Sequence, residues 1–209
     1  MAKIIFAYRL VSDTGFAPCV DNGMLTLACC KGGQIRNGRN ILTGLRYHVG
    51  KHREQNHDDE IYILGIYKNK LLYYAMTTDI IKMTDYFSQA KKAEYGKRKD
   101  HIYDTENGLL QRNSLLPHIH PKGSLQNDRD ANGVYVIVSE RFEYYGVSAP
   151  PIPGAVLTFL PKARDNKKYS DGDAAFEVIN EYISDTVKFN GVIGKPHDPI
   201  KLPKCGGGK

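Results

Sequence analysis

Residues 61–76 read IYILGIYKNKLLYYAM, and this stretch contains the clearest pair of strand-like segments in the chain. It contains two apolar runs, 61–66 and 71–76, on either side of the turn-like tetrapeptide YKNK. Runs of this length that are rich in β-branched and aromatic residues are typical of strands, and a short polar connection between two of them is typical of an antiparallel pair. The stretch therefore predicts a β-hairpin.

Further strands and helices are predicted on both sides of this hairpin. KIIFAYRLV at 3–11 and VYVIVS at 134–139 indicate strands, and MLTLACC at 24–30 indicates a strand or the start of a helix. The predicted helices are 79–90, 155–160 and 172–186. Because strands and helices do not alternate regularly, the sequence predicts an α+β fold: a mixed, mostly antiparallel sheet or a small barrel-like core, with a few flanking helices.

The composition limits the class of protein. The chain has 209 residues, of which 41% are hydrophobic, and 29 Lys and Arg against 23 Asp and Glu give a net charge of +6. We expect one domain at 1–203, a polar, flexible insertion within it at about 46–60, and a disordered Gly-rich tail at 204–209. The basic balance permits a phosphate-bearing partner. With no secretory signal and no apolar stretch near the ~20 residues of a membrane helix, we expect a cytoplasmic protein with reduced cysteines and no membrane partner.

The loop after the first strand, SDTGFAP at 12–18, is the first candidate site. Asp13, Thr14 and Phe16 would present a carboxylate, a hydroxyl and an aromatic ring to one ligand. Backbone N–H groups near Gly15 could also hold an anion. The alternative is an Asx-turn, in which Asp13 binds the backbone near Gly15.

A basic, Gly-rich segment begins at the end of the next predicted strand. Cys30 is followed by Lys31, and a neighbouring cation lowers the pKa of a thiol and makes it a better nucleophile. Lys31 and Arg36 flank a pair of glycines, an arrangement that suits a phosphate clamp. The alternative is a buried cysteine at a strand end, followed by a solvated basic loop.

Two histidines, His118 and His120, lie in the segment SLLPHIHP, with Asp128 beyond them. In an extended segment, residues two apart point to the same side. The pair could therefore act as acid and base near neutral pH, or bind a metal together with Asp128. The alternative is a pair of hydrogen-bonded loop histidines. No complete set of metal ligands can be read from the sequence, so we predict no metal site and leave the cofactor open.

Two further features bear on nucleic-acid binding. Residues 91–99 contain five Lys and Arg side chains, which either contact a phosphate backbone or form an exposed, solvated helix end. Tyr144 and Tyr145 follow a predicted strand, where aromatic rings either stack on a base or close the edge of the core.

Several of these segments together resemble the nucleotide modification associated domain 2 family. The resemblance rests on DTGFAP followed by LACCK, on IYILGI and LLYYAM, and on FEYYGVSAPPIP. The matching blocks extend from Ile4 to about Asp198. The resemblance implies a link with systems that make or handle modified bases in DNA, often in phages and mobile elements. At 118–120 the chain reads His-Ile-His, where two adjacent histidines would be expected from the family.

The resemblance favours functional roles for Asp13, His118 and His120, leaves the role of Cys30 open, and leads to two hypotheses. In the first, the protein is an enzyme acting on a nucleotide or on a base in DNA. Asp13 or His120 would be the general base, and His118 the acid or a phosphate ligand. Lys31 and the arginine at 36 would hold the anion.

In the second hypothesis, the protein is a non-catalytic reader that binds DNA carrying a modified base. Phe16, Tyr144 or Tyr145 would stack on the base, and the basic run at 91–99 would hold phosphates. A third interpretation is a structural partner of other proteins in a modification system, with no ligand of its own.

Overall fold

A six-stranded sheet and a four-stranded sheet form the framework of the molecule. The computed structural model describes residues 1–112 and 126–199. Its strands are β1 (Lys3–Arg9), β2 (Cys19–Asp21), β3 (Met24–Leu27), β4 (Gln34–Arg36), β5 (Arg39–Ile41), β6 (Glu60–Tyr67), β7 (Lys70–Met76), β8 (Asp79–Lys82), β9 (Tyr103–Glu106), β10 (Leu109–Arg112), β11 (Tyr135–Ser139), β12 (Arg141–Tyr144), β13 (Asn166–Ser170) and β14 (Gly191–Val192). Its helices are α1 (Leu45–Gln55), α2 (Met83–Tyr86), α3 (Lys92–Tyr95), α4 (Gln126–Ala131), α5 (Gly154–Leu157) and α6 (Ala174–Thr186).

The six-stranded sheet is built around the hairpin of residues 61–76. Its strand order is β13-β1-β6-β7-β12-β14, in which β6 pairs in parallel with β1 and antiparallel with β7. The register of β6 against β7 shifts between Gly65 and Ile66. A Cβ atom on Gly65 would lie 2.2 Å from the ring of Tyr73, so the ring covers a position that only glycine can occupy. The predicted hairpin is confirmed and lies at the centre of the sheet.

Both faces of this sheet are buried. Along β1, Ile4, Phe6 and Tyr8 pack in one cluster with α1 and the four-stranded sheet. Ile5 and Ala7, which point the other way, pack in a second cluster with α5 and α6. A strand that is buried on both faces needs apolar residues at successive positions, which explains the continuous apolar sequence of this strand.

The four-stranded sheet has the order β2-β3-β11-β8 and is antiparallel throughout. Its strand β11 is also buried on both faces. Ile137 belongs to the cluster shared with the larger sheet, whereas Val136 and Val138 belong to a third cluster that contains Tyr86 and Phe87. The hairpins β4–β5 and β9–β10 form two separate two-stranded sheets.

The α+β prediction is confirmed, because mostly antiparallel sheets are combined with helices. Of the two predicted architectures, the open sheet is the one found: none of the sheets within 1–112 and 126–199 closes into a barrel. The predicted strands at 3–11, 24–30 and 134–139 correspond to β1, β3 and β11, and the predicted helices at 155–160 and 172–186 correspond to α5 and α6. The expected tail at 204–209 lies outside the described residues.

Two segments fold differently from the prediction. Residues 79–82 do not begin a helix but form the edge strand β8, which pairs with β11, and helix α2 begins only at Met83. The expected flexible insertion at 46–60 is largely helix α1. Leu45 and Val49 lie one turn apart on this helix and are buried, so one side of the helix packs on the core although most of its residues are polar.

None of the described helices combines the length and the apolar sequence that crossing a membrane requires.

Candidate functional site

A cavity of about 530 Å³ opens where strand β1 ends. Four residues predicted from the sequence line it: Thr14, Phe16, Cys30 and Lys31. The rest of the wall is formed by the end of β1, by other residues of the loop after it, by residues 32–35, 43–45 and 164–166, and by one residue of α4. The loop after β1 and the Gly-rich segment after β3 therefore meet at one cavity, although they are separate in the sequence.

Asp13 lies behind this wall and does not line the cavity. It is 1% exposed. The hydroxyl of Tyr144 donates to its Oδ1 at 2.6 Å, and the backbone N–H of His197 donates to its Oδ2 at 2.9 Å. The Nδ1 of His197 lies 3.0 Å from the same Oδ2. The carboxylate thus binds distant parts of the chain. An Asx-turn would instead require it to bind the backbone near Gly15, so that interpretation is not the one found.

The segment 196–198 holds the loop after β1 in place. The backbone N–H of Asp198 donates to the carbonyl of Asp13 at 2.8 Å, and the hydroxyl of Tyr67 donates to the Asp198 carboxylate at 3.0 Å. A Cβ atom on Gly15, whose φ is +72°, would lie 2.6 Å from the ring of Pro196. These contacts make the loop a fixed part of the cavity wall.

The Gly-rich segment reaches the cavity through a tight crossing of backbones. Cys30 and Lys31 both have left-handed φ values, +58° and +48°, so the chain turns sharply after β3. A Cβ atom on Gly32 would lie 1.8 Å from the carbonyl oxygen of Arg129, and one on Gly44 would lie 1.8 Å from the carbonyl oxygen of Gly32. Any side chain at these two glycines would separate the three segments that form the wall.

The buried arginine Arg46 supports this crossing from inside. Its Nε donates to the carbonyl of Cys30 and its Nη1 to the carbonyl of Tyr135, both at 2.7 Å, and its Nη2 donates to the carbonyl of Asp130. Its backbone N–H donates to the carbonyl of Lys31 at 3.2 Å. The guanidinium fork can serve several carbonyls at once, which explains how a charged side chain at 0% exposure remains satisfied.

The thiol of Cys30 is not activated. Burial raises its pKa, and the negative charge of Asp130 acts in the same direction. Lys31, Arg46 and Arg164 lower the pKa but do not reverse the rise. The direction is opposite to the one expected from the neighbouring lysine alone, and the thiol is protonated at neutral pH.

Four cationic side chains line the cavity. One of them, Arg9, donates to the carbonyl of Pro161 and to the side chain of Asn69, and the other three have no carboxylate partner in the described chain. They are Lys31, Arg129 from α4 and Arg164 from the loop before β13. In the part of the chain that the structure describes, none of the three belongs to an ion pair. Burial lowers the pKa of Lys31, and the positive charge of Arg164 acts in the same direction. The Lys31 Nζ lies 5.6 Å from the centre of the Tyr8 ring. Asp165 is the acidic residue among those that line the cavity.

The other predicted site residues lie elsewhere. Arg36 is exposed on β4, where it borders a second cavity of about 310 Å³. Tyr145 is 8% exposed and belongs to the cluster on the far face of the large sheet; its hydroxyl lies 3.1 Å from Glu143 Oε2 and from the carbonyl of Thr186.

The predicted histidine pair, His118 and His120, lies outside the described residues. Within 1–112 and 126–199, no three His, Cys, Asp or Glu side chains are grouped as a metal site would require.

The basic run at 91–99 does not form a continuous cationic surface. Arg98 is 5% exposed and donates to the carbonyls of Asp21 at 2.7 Å and Cys19 at 3.0 Å. The Nζ of Lys91 forms an exposed ion pair with Glu94 at 2.8 Å. Of the five cations expected to hold phosphates, Arg98 therefore binds backbone carbonyls inside the molecule and Lys91 is neutralised by a carboxylate.

Comparison with known proteins identifies the family. The family model described as nucleotide modification associated domain 2 matches residues 1–202. This span includes every residue of the cavity wall. No curated protein and no solved structure matches the chain. The match confirms the resemblance read from the sequence: the chain belongs to the nucleotide modification associated domain 2 family.

Proposed function

We propose that the cavity at the end of β1 binds a nucleotide, and that the protein acts through it on a nucleotide or on a base in DNA within a base-modification system. One observation carries the proposal. Lys31, Arg129 and Arg164 converge on the cavity, and no carboxylate in the described chain pairs with any of them. The family description, which names nucleotide modification, supports the same class of ligand.

The size and lining of the cavity suit a nucleotide. Its volume of about 530 Å³ lies within the range of small-molecule sites, about 300–1,000 Å³. Arginine presents a planar fork that matches two phosphate oxygens, and lysine adds a point charge. Tyr8 and Phe16 add aromatic surface to the wall, against which a base can pack.

Binding is the step that these residues support best. Asp13 is enclosed in hydrogen bonds, and the raised pKa of the Cys30 thiol makes it a poor nucleophile. We therefore assign Asp13 to positioning the loop and Cys30 to the wall. The predicted acid and base, His118 and His120, keep their proposed roles in the enzyme hypothesis.

Calorimetric titration with a deoxynucleoside and with its mono- and triphosphates tests the proposal. We expect the phosphates to bind and the nucleoside to bind at least about tenfold more weakly, because a charge-assisted hydrogen bond contributes about 1.5–3 kcal/mol. Arg164→Gln should weaken phosphate binding by about tenfold for the same reason. Lys97→Gln, which removes one exposed charge from a residue that does not line the cavity, is the matched control.

Two results would contradict the proposal. The first is equal affinity for the nucleoside and its phosphates. The second is an equal loss of affinity in Arg164→Gln and Lys97→Gln, which would indicate a general effect of net charge.

A further inference from the structure

The hairpin β4–β5, residues 34–41, projects from the rim of the cavity, and we call it the arm. Its turn is formed by Asn37 and Gly38, whose φ values of +50° and +69° are those of a type I′ turn. Arg36 and Arg39 lie directly opposite each other on the two sides of this turn. Both arginines are exposed.

The opposed arginines are unfavourable for the arm by itself. Like charges directly across a strand pair destabilise the pair. In the described residues neither Arg36 nor Arg39 belongs to an ion pair, and the Nε of Arg36 donates only to the side chain of Gln34, at 3.1 Å. The repulsion would be relieved by an anion that binds both guanidinium groups from outside.

The base of the arm is fixed. The amide of Asn132, which is 5% exposed, donates to the carbonyl of Gln34 at 3.2 Å and to the side chain of Asn40 at 3.3 Å. A Cβ atom on Gly33 would lie 2.0 Å from the carbonyl oxygen of Ile41. The two arginines are thus held at a defined place beside the cavity.

A continuous polar surface joins the arm to the cavity. Gln34, at the start of the arm, and Thr43, two residues beyond its end, line both the main cavity and the second cavity of about 310 Å³. Arg36 and His48 border the second cavity, and Asp165 borders both. The second cavity therefore adjoins the main cavity on the side of the arm.

We propose that the arm binds the phosphodiester backbone of a nucleic-acid strand, with Arg36 and Arg39 on phosphates next to the nucleotide held in the cavity. The proposal rests on the proposed function and narrows it from a free nucleotide to a nucleotide within a strand. It also assigns to the arm the contacts with the phosphate backbone that the sequence analysis expected of the basic run at 91–99. DNA and RNA share this backbone, so both are tested.

The test measures fluorescence anisotropy with labelled single strands of DNA and RNA of about 12 nucleotides, with duplex DNA, and with a labelled mononucleotide. The arm variant Arg36→Gln/Arg39→Gln is compared with Lys97→Gln/Lys99→Gln, which removes the same charge from the other basic region. Two lost phosphate contacts should lower the slope of log K against log salt by about 1.4 for a single strand. Titrations at salt concentrations from about 50 to about 200 mM give the slope for each variant, and so the difference between them. Mononucleotide affinity should be unchanged.

Arg39→Glu provides a second variant whose effects separate binding from folding. It replaces the like-charged pair with an ion pair across the turn, so the thermal midpoint should rise while strand binding is lost. A folded variant of higher stability that no longer binds the strand cannot be explained by unfolding.

The outcomes separate this inference from the proposed function. Loss of strand affinity in the arm variants alone, for DNA or for RNA, supports the arm. Unchanged strand affinity in those variants, or an equal loss in the lysine control, overturns it. A wild-type protein that binds the mononucleotide but no strand also overturns the arm and leaves the proposed function standing. A wild-type protein that binds neither overturns both.

Discussion

The five basic residues of the run at 91–99 are close together in the sequence, whereas the cations that line the cavity, Arg9, Lys31, Arg129 and Arg164, come from four separate segments. In the folded structure it is the cations from separate segments that lie together, whereas the basic run is partly buried or paired. Arg98 is buried and Lys91 is paired with Glu94, while Lys31 and Arg164 face a common cavity without carboxylate partners in the described chain. A dense run of charge in a sequence is therefore a poor guide to where the fold concentrates charge.

The two regions also contain similar internal supports. Arg46 next to the cavity wall and Arg98 within the basic run both donate to several backbone carbonyls. They differ in their charge partner, because the Nε of Arg98 lies 3.5 Å from the buried carboxylate of Asp100. We therefore expect both arginines to stabilise the fold, but only Arg46 to support the proposed nucleotide site.

The largest expected effect is that of Arg46→Met. The substitution removes the donors of three carbonyls in the core, at about 1–3 kcal/mol for each unsatisfied group, so we expect a loss of about 4 kcal/mol of unfolding free energy. Because one of these carbonyls belongs to Cys30, nucleotide affinity should fall as well. Urea denaturation measures the unfolding free energy, and calorimetric titration measures the nucleotide affinity. Unaltered affinity in the folded variant would show that Arg46 does not support the proposed nucleotide site.

Arg98→Met should destabilise the protein without weakening nucleotide binding. It leaves the Asp100 carboxylate buried without its cation, and breaking one partner of a buried pair typically costs about 3–5 kcal/mol. Arg98→Met/Asp100→Asn, which removes both charges, should recover part of the loss. Calorimetric titration below the melting temperature of the variant gives its nucleotide affinity. A loss of affinity as large as that in Arg46→Met would contradict the prediction that only Arg46 supports nucleotide binding.

The elements that the sequence predicted are those whose signal is local. The strands β1 and β11 are buried on both faces and are apolar almost throughout, and helix α6 repeats its apolar residues at helical spacing. The sequence also singled out the loop after β1 and the Gly-rich segment after β3, which line the cavity, because polar and Gly-rich residues there directly follow strands. Helix α1 could have been found from the one-turn spacing of Leu45 and Val49, and the arm from the sequence Arg-Asn-Gly-Arg at 36–39.

The rest of the cavity could not be predicted, because its contacts join residues far apart in the chain. Arg46 binds the carbonyl of Tyr135, 89 positions away, and Asp13 binds His197, 184 positions away. No spacing rule links such pairs. Arg129 and Arg164 stand in ordinary polar segments, and only the folded arrangement brings them to the same wall as Lys31.

The smallest expected effect concerns the pH dependence of the segment behind the basic run. Burial lowers the pKa of His101, and its Nε2 is buried without a hydrogen-bond partner among the described residues. Because the unfolded state then binds the proton more tightly, this histidine contributes stability above its ordinary pKa, about 6.5, and the contribution is lost as the pH falls below that value. His101→Phe, which keeps an aromatic ring beside Phe87, should reduce the fall in unfolding free energy between about pH 7 and pH 5 and leave nucleotide affinity at pH 7 unchanged. His48→Phe, on the exposed side of α1, is the control, and an equal change in both variants would assign the pH dependence to the overall charge.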